Sequence, residues 1–470
     1  MPTPTHCKHR RDEFLKLIDS PVLLFAGGWI PRNYPANWSP FRADSNFLLF
    51  FPDPEADSAA LFDPSDKSVT LFLNERTAQD ALWHGPVPSF EDLKALLQVD
   101  SICNRSDLAR TVKQKVGDRK VLSLAMHDPR TTAEANEITG GNLVYTDESR
   151  IGDPELIKAL MQLRLRRDPE ELAEMRSASE VTREAHIAAM AHTRPGIYEQ
   201  ELVGHVEGCF TRHGCVPAYN TILSIRGEVL HNHRHDNMLR ETDLVLLDAG
   251  AENKTGYCAD VTRTWPVNGR FSPEARDIYD IVLAAETASI EAVKPGARYR
   301  DLHLTSCRVI ADGLSQLGIL KGQPDALVET GAHSLFFPHG VGHLIGLDVH
   351  DMEGFGDQVH YGTGRRRSEQ FGLAYLRLDL DLEPGMCFTI EPGIYFVPAI
   401  LNDPGLIAPY KDQVDLEKAQ TFLTMNSLRG FGGIRIEDDV HCTESGPDVL
   451  TEAIPKERAA VEALVGSATS

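Results

Sequence analysis

The sequence predicts a mixed α/β chain, α+β in its layering, with a small N-terminal α/β domain followed by a larger domain built from a duplicated half. Three observations lead there. At 470 residues the chain exceeds what one hydrophobic core ordinarily serves, so two domains are expected. Arg194-Pro195-Gly196-Ile197-Tyr198-Glu199-Gln200-Glu201-Leu202 is echoed by Lys294-Pro295-Gly296-Ala297-Arg298-Tyr299-Arg300-Asp301-Leu302. An alanine-rich helix precedes each copy and a second helix, ending at Gly214 or Gly318, follows it; matching flanks on both sides indicate duplication. Finally, four short apolar segments bounded by Gly or Pro each carry one carboxylate: Asp248, Asp260, Glu391 and Glu437.

The N-terminal domain is expected over 1–150. Pro21–Phe25 and Ser45–Phe51 read as buried strands, being continuous apolar runs of strand length. Ala59–Phe62 and Ser68–Leu73 flank Asp-Pro-Ser-Asp-Lys, turn formers between two β-rich runs, and read as a hairpin. Helical patterns follow near Thr77–Trp83 and Ser89–Leu97, then a strand at Val121–Ala125. No metal or nucleophile constellation falls here, so the expected task is substrate access or oligomer contacts. Asp153-Pro154 and Asp168-Pro169-Glu170-Glu171 each pair an N-cap with proline at the first helical position. They predict a linker helix within 151–168 and a longer helix to Ala191, with the larger domain over 169–470.

Composition narrows the function classes. A net charge of −22 argues against nucleic acid or an anionic membrane as partner. The hydrophobic fraction of 42% and charged fraction of 25% are those of a soluble globular protein. No run approaches the roughly 18 apolar residues of a membrane span, and Met1–Arg11 lacks the apolar core of a signal peptide. The eight cysteines are scattered without a Cys-x-x-Cys pair. Reduced thiols in a cytoplasmic protein are therefore expected, rather than a disulfide framework or a thiolate zinc site.

The chemistry concentrates in the second domain. Phe336–Asp351 sets His339, His343 and His350 among glycines and branched aliphatics, a texture suited to a strand and turn lining a dry pocket. Leu244–Ala251 reads as a buried strand carrying Asp248; Asp260 follows twelve positions later, and Glu252–Gly256 reads as the turn of a hairpin joining the two. Two carboxylates in adjacent apolar strands repel unless a cation or a proton lies between them. Pairing of each with a nearby arginine such as Arg263 is the alternative. Phe388–Tyr395 and Gly432–Asp439 repeat the form around Glu391 and Glu437, with Arg435 and Glu437 on one strand face. Oxygen-rich ligation with a single imidazole suits hard or borderline ions such as Mn²⁺. Four carboxylates for one histidine favour two ions sharing bridging carboxylates.

These motifs, above all His-Gly-Val-Gly-His with Asp-Val-His-Asp and Thr-Ile-Glu-Pro-Gly-Ile-Tyr, resemble the metallopeptidase family that holds aminopeptidase P, prolidase and methionine aminopeptidase. Phe41-Arg42-Ala43-Asp44-Ser45-Asn46-Phe47 is similar to the N-terminal domain of its Xaa-Pro branch, and the likeness covers nearly the whole chain. The resemblance implies a pita-bread fold and two divalent metal ions, Mn²⁺ the expected identity. Asp248 would hold one ion, Asp260 and Glu437 would bridge both, and His343 with Glu391 would complete the second. Glu391 would also shuttle the proton, His231 would steady the oxyanion, and His350 would contact substrate near the scissile bond. His339 would line the pocket for the proline ring. Arg435, grouped with the substrate-binding residues, would orient the bridging carboxylates. Arg377 stands where prolidase-like sequences carry an arginine for a dipeptide's carboxylate, with a plain salt bridge as the alternative.

The implied activity is hydrolysis of the bond between an N-terminal residue and a following proline, by a metal-bridging hydroxide. Expected partners are peptides with proline second, with no nucleic acid or membrane, and a homo-oligomer, a dimer, is expected. A prolidase restricted to dipeptides is the alternative, and a non-catalytic or metal-free member of the fold is the rival class. His233 and His235 read as solvent-facing, and Arg365–Arg367 as a solvated turn that could meet a substrate carboxylate. The insertion between Val397 and Gly430 has no sequence reading.

Overall fold

The computed structural model describes residues 3–85 and 88–468. It divides into two compact units: Met1–Leu165 with Lys254–Gly256 and Met352–Val359, and Arg166–Asn253 with Tyr257–Asp351 and His360–Ser470.

The first unit contains α1 (Pro4–Leu17), β1 (Val22–Phe25), α2 (Ser45–Leu48), β2 (Ala59–Asp63) and β3 (Ser68–Leu73), then α3 (Ala78–His84), α4 (Phe90–Leu97) and β4 (Ser101–Asn104). Helices α5 (Leu108–Val116), α6 (Pro129–Thr139) and α7 (Pro154–Arg164) complete it. The sheet runs β1-β2-β3-β4, antiparallel except where β4 lies parallel to β3. Alternation along the strands loads both faces. Leu23, Phe25, Leu61 and Phe72 pack with Leu108, Val112 and Val116 of α5 and Ala135 of α6. On the opposite face Phe62 meets Phe14 of α1 edge-on at 5.1 Å and Phe50 at 5.0 Å.

The hairpin forms as expected, and α3 and α4 begin at the capping side chains of Thr77 and Ser89. Two strand expectations fail. Ser45–Phe51 starts as the short helix α2, because the Asp44 carboxylate accepts from the Asn46 amide at 2.9 Å. The run is buried on all sides, so apolar continuity could not tell strand from helix. Val121–Ala125 forms only single bridges, Leu122 to Val22 and Leu124 to Gly152. Between them the Ser123 hydroxyl donates to the Leu23 carbonyl at 2.7 Å, in place of a ladder bond.

The second unit opens with α8 (Pro169–His192), whose cap Asp168 accepts from Glu170 and Glu171 while Glu171 bonds back. Helix α9 (Glu199–Arg212) follows, and α10 (Pro273–Glu291) with α11 (Tyr299–Gln316) forms the second hairpin. The two hairpins are copies in backbone detail. Gly196 and Gly296 sit at φ +90° and +79°, and donate to the Leu239 and Leu382 carbonyls at 2.9 and 2.8 Å. The next caps, Tyr198 and Arg298, bridge to Met238 and Asp381. The closing glycines, Gly214 and Gly318, adopt φ +69° and +67°. A side chain at such angles costs about 1–2 kcal/mol, which explains why the repeat is legible as glycines.

Each half then builds a small antiparallel sheet. The first is β6 (Ile222–Ser224), β7 (Leu244–Asp248) and β9 (Thr262–Pro266), with β5 (Val216–Pro217) paired to β8 (Ala251–Glu252). The second is β10 (Cys387–Ile390), β13 (Asp438–Thr443) and β14 (Gly446–Val449), with β11 (Gly393–Tyr395) paired to β12 (Gly433–Arg435). The halves join along β9. Thr264 Oγ1 donates to the Arg435 carbonyl at 3.1 Å, and the Glu437 amide donates to the Thr262 carbonyl at 3.1 Å. Phe336–Asp351 is not the expected strand; it runs irregularly from a 3₁₀ turn at Ala332–Leu335, as Pro338 and its glycines dictate. Its carbonyls at Val341 and His343 still accept from Glu391 and Thr389 at 2.8 and 2.9 Å, fastening it beside β10. The 397–430 insertion folds into short helices, and its Phe422 stacks on Phe396 at 3.9 Å.

Candidate metal centre

Of the five expected donors, the four carboxylates stand at strand ends along the seam of the second unit, and His343 stands on the irregular segment fastened beside β10. Asp248 closes β7 and Asp260 precedes β9, in register across an antiparallel pair in which Asp248 faces Thr262. Gly250 makes that approach possible, since a Cβ there would lie 1.7 Å from the Ala259 carbonyl oxygen. Glu391 follows β10, and Glu437 lies between β12 and β13. The fastened backbone at His343 presents its ring to the same place. Donor atoms of Asp248, Asp260 and Glu437 lie within 4.8 Å of one another, and so do those of His343, Glu391 and Glu437. Glu437 thus belongs to two trios. Asp260, His343 and His350 form a third.

The histidine is set up to donate a lone pair. Its Nδ1 lies 3.0 Å from the Leu344 carbonyl, an obligate acceptor, so Nδ1 carries the proton. Nε2 then faces Asp260 at 3.4 Å and Glu391 at 3.9 Å, on the side where the carboxylates gather.

The carboxyl groups fit a divalent metal. Burial, then Asp248 and Asp439, hold Asp260 well above the usual carboxylate range; burial, then Asp260 and Glu391, do the same to Glu437. Glu391 is raised by burial against the opposing charges of Arg435 and Arg377. Tyr219 Oη donates to Asp248 at 2.5 Å and also contacts Asp260. One hydroxyl hydrogen cannot serve two carboxylates, so a proton or a cation must make up the difference. Among the buried side chains Arg435 supplies one cation: it donates to Asp248, to Thr262 Oγ1 at 2.9 Å and to Tyr395 Oη at 3.0 Å. An oxygen-rich donor set with one imidazole is the composition divalent hard or borderline ions take.

The remaining expected residues surround this centre. His339 Nδ1 donates to the Gly340 carbonyl at 2.7 Å, while its Nε2 accepts from Tyr395 at 2.9 Å. Burial pushes that imidazole down to about 3, so it is neutral. Arg377 donates to His350 Nε2 at 2.9 Å, and the His350 ring lies edge-to-face on His343 at 4.3 Å. His231 lies on the exposed loop after β6, its pKa lowered by partial burial and by Arg435 and Arg377.

Three secondary expectations are revised. His233 is exposed, but His235 is half-buried, with Nδ1 bonded to the Leu223 carbonyl at 3.0 Å. Arg263 pairs with Asp438 at 2.8 Å, not with Asp248 or Asp260. Arg365 is half-buried and tied to Asp381 at 2.7 Å, while Arg366 and Arg367 are exposed.

Sequence reasoning missed Tyr219, Thr262 and the Tyr395 hydroxyl. It also missed a buried network in which Lys456 bridges Asp438 at 2.6 Å and Glu286 at 2.7 Å behind the centre. Tyr395 stood inside a quoted motif and could have been read as the hydrogen-bonding end of that strand.

A duplicated pita-bread unit with two aspartates, one histidine and two glutamates converging on its seam defines a metallopeptidase. Residues 173–444 match the profile of metallopeptidase family M24, and residues 7–123 match the aminopeptidase P N-terminal domain. The chain belongs to metallopeptidase family M24. It is 34% identical to the Xaa-Pro aminopeptidase of Escherichia coli, over 96% of this chain and 94% of that protein. It is 32% identical to a probable Xaa-Pro aminopeptidase of Talaromyces stipitatus, over 91% and 88%. Among solved structures, zinc-substituted E. coli aminopeptidase P in complex with product superposes with a TM-score of 0.81 at 30% identity, over 100% of this chain and 99% of that one. Pseudomonas aeruginosa aminopeptidase PepP gives 0.81 at 29% identity, covering 99% of each.

Proposed function

We propose that the chain hydrolyses the peptide bond between an N-terminal residue and a following proline, using two divalent ions, Mn²⁺ first among the candidates. Asp248, Asp260, His343, Glu391 and Glu437 would hold them. The observation that carries this reading is the sharing of Glu437 between two donor trios beside a histidine whose Nδ1 is tied to the Leu344 carbonyl, leaving Nε2 toward the carboxylates. The relatives that bear the Xaa-Pro aminopeptidase name support the substrate class. Bound there, the ions supply Lewis-acid polarisation of the scissile carbonyl and lower the pKa of water.

The chain's own residues supply the rest. Glu391, its carboxyl raised by burial, takes the proton of the attacking water and passes it to the departing prolyl nitrogen. Neutral His339, aligned through Tyr395 and flanked by the Phe337 ring at 4.9 Å, gives the proline ring an apolar wall. To His350, oriented by Arg377, and to His231 we assign the contacts to the substrate backbone and the developing oxyanion. Arg435 holds Asp248 in its donor orientation. The N-terminal unit carries none of the donors, and we assign it to substrate access or to the contacts of a homodimer. The cytoplasm is the compartment that eight free cysteines suit.

A panel of Xaa-Pro peptides of increasing length, assayed on Mn²⁺-loaded protein, tests the reading. Turnover of Arg-Pro-Pro-type tripeptides is expected. Activity confined to dipeptides would replace it with a prolidase, and less than about one equivalent of bound metal after loading would point to a metal-free member of the fold. Light scattering that shows only monomer would remove the dimer.

A further inference from the structure

We propose that Glu184, Cys209 and His213 form a second metal site, different in chemistry from the acid-rich centre, that takes a zinc-class divalent ion. Glu184 lies on α8 and Cys209 on α9, and His213 caps the end of α9. Cys209 and His213 are four apart, which puts both on one face of the helix, the spacing by which helices present paired ligands. Glu184 meets them from α8: His213 Nε2 lies 2.9 Å from Glu184 Oε2. One ligand atom from each of the three lies within 4.8 Å of the others.

The surroundings favour an ion arriving from solvent. The side chains of His213 and Glu184 are 38% and 39% exposed, while Cys209 lies beneath them, 1% exposed, with its thiol on the Val181 carbonyl. The preceding residue, Arg183, is engaged by both oxygens of Glu180, one turn back on α8, while Glu184 bonds His213.

Ligand chemistry separates this site from the seam. One thiolate, one imidazole and one carboxylate, with a fourth position open to water, suit tetrahedral Zn²⁺ and its spectroscopic substitute Co²⁺. Mn²⁺ and Mg²⁺ prefer oxygen donors. Binding forms the sulfur–metal bond as the thiol proton passes to solvent, with no change of oxidation state. The ion would staple α8 to α9, the hairpin that supports the first half.

The test is a Co²⁺ titration of the full-length protein with its seam already loaded with Mn²⁺. Thiolate ligation produces a near-ultraviolet sulfur-to-cobalt charge-transfer band that carboxylates and imidazole cannot. A band saturating near one equivalent is expected, bleached by Zn²⁺ and abolished in Cys209→Ser. His213→Ala, an exposed change that leaves the core untouched, should weaken Co²⁺ binding at least tenfold with an unaltered circular dichroism spectrum. Absence of the band in the wild type, its persistence in Cys209→Ser, unweakened binding in His213→Ala, or indifference to Zn²⁺ would each overturn the site.

Discussion

The Arg435 guanidinium on β12 donates to the Asp248 carboxylate at the end of β7, across 187 residues of sequence. The same guanidinium reaches Thr262 and Tyr395, so one buried side chain aligns groups from both halves. Lysine offers a point charge without the planar fork. Arg435→Lys should lower kcat/KM by roughly 10–100-fold and reduce bound metal, as loss of a ligand-orienting partner does. Kinetics and metal content of the same preparation check this; unchanged values for both would show that Arg435 does not orient Asp248.

Glu391→Gln keeps the shape of the side chain but removes the group proposed to carry the proton. Turnover should fall by roughly 10²–10⁴-fold, while circular dichroism and the melting temperature stay close to the parent. Near-normal turnover would take the shuttle role away from Glu391.

Gly250→Ala should destabilise the second unit by at least about 2 kcal/mol. The new Cβ would fall 1.7 Å from a backbone oxygen, which no rotamer change relieves. Loss of soluble protein or a sharply lowered melting temperature is the expected result, and a parent-like melt would refute the close approach.

The N-terminal unit has its own acid dependence. Arg119 donates to both oxygens of Asp63 at 2.8 and 2.6 Å, and this pairing, ahead of opposing burial, lowers the Asp63 carboxyl to about 2. A depressed folded-state pKa gives stability that is complete above the ordinary aspartate value near 3.8 and lost as pH falls toward 2. Arg119 is half-exposed, so screening limits the term to on the order of 1 kcal/mol. Wild type should therefore melt above Asp63→Asn at pH 5, with the gap shrinking through pH 3 and closing below about pH 2; a gap independent of pH would contradict the assignment.

What the sequence disclosed follows physical rules. The duplication was readable because left-handed turns demand glycine at Gly196, Gly214, Gly296 and Gly318. The carboxylates stood out because Asp248, Asp260, Glu391 and Glu437 are costly in apolar strands without a reason. Their convergence needed coordinates, as it depends on pairing between segments nearly 200 residues apart. Tyr219 and Thr262 were invisible because a buried hydroxyl leaves no pattern of period or spacing. The helix at Ser45–Leu48 was missed because a segment buried all round loses the amphipathic signal that separates helix from strand.

The seam has a further consequence. Asp248 and Asp260 belong to the first half of the duplicated unit, and His343, Glu391 and Glu437 to the second. The link between halves passes through Asn268–Ser272, where Asn268, Arg270 and Ser272 are exposed. A chain cut there would yield two fragments, each inert with an incomplete donor set, whose reunion would be reported by peptide cleavage. Co-expression of the two fragments is expected to restore peptide cleavage, and failure to do so would show that the halves need their covalent link.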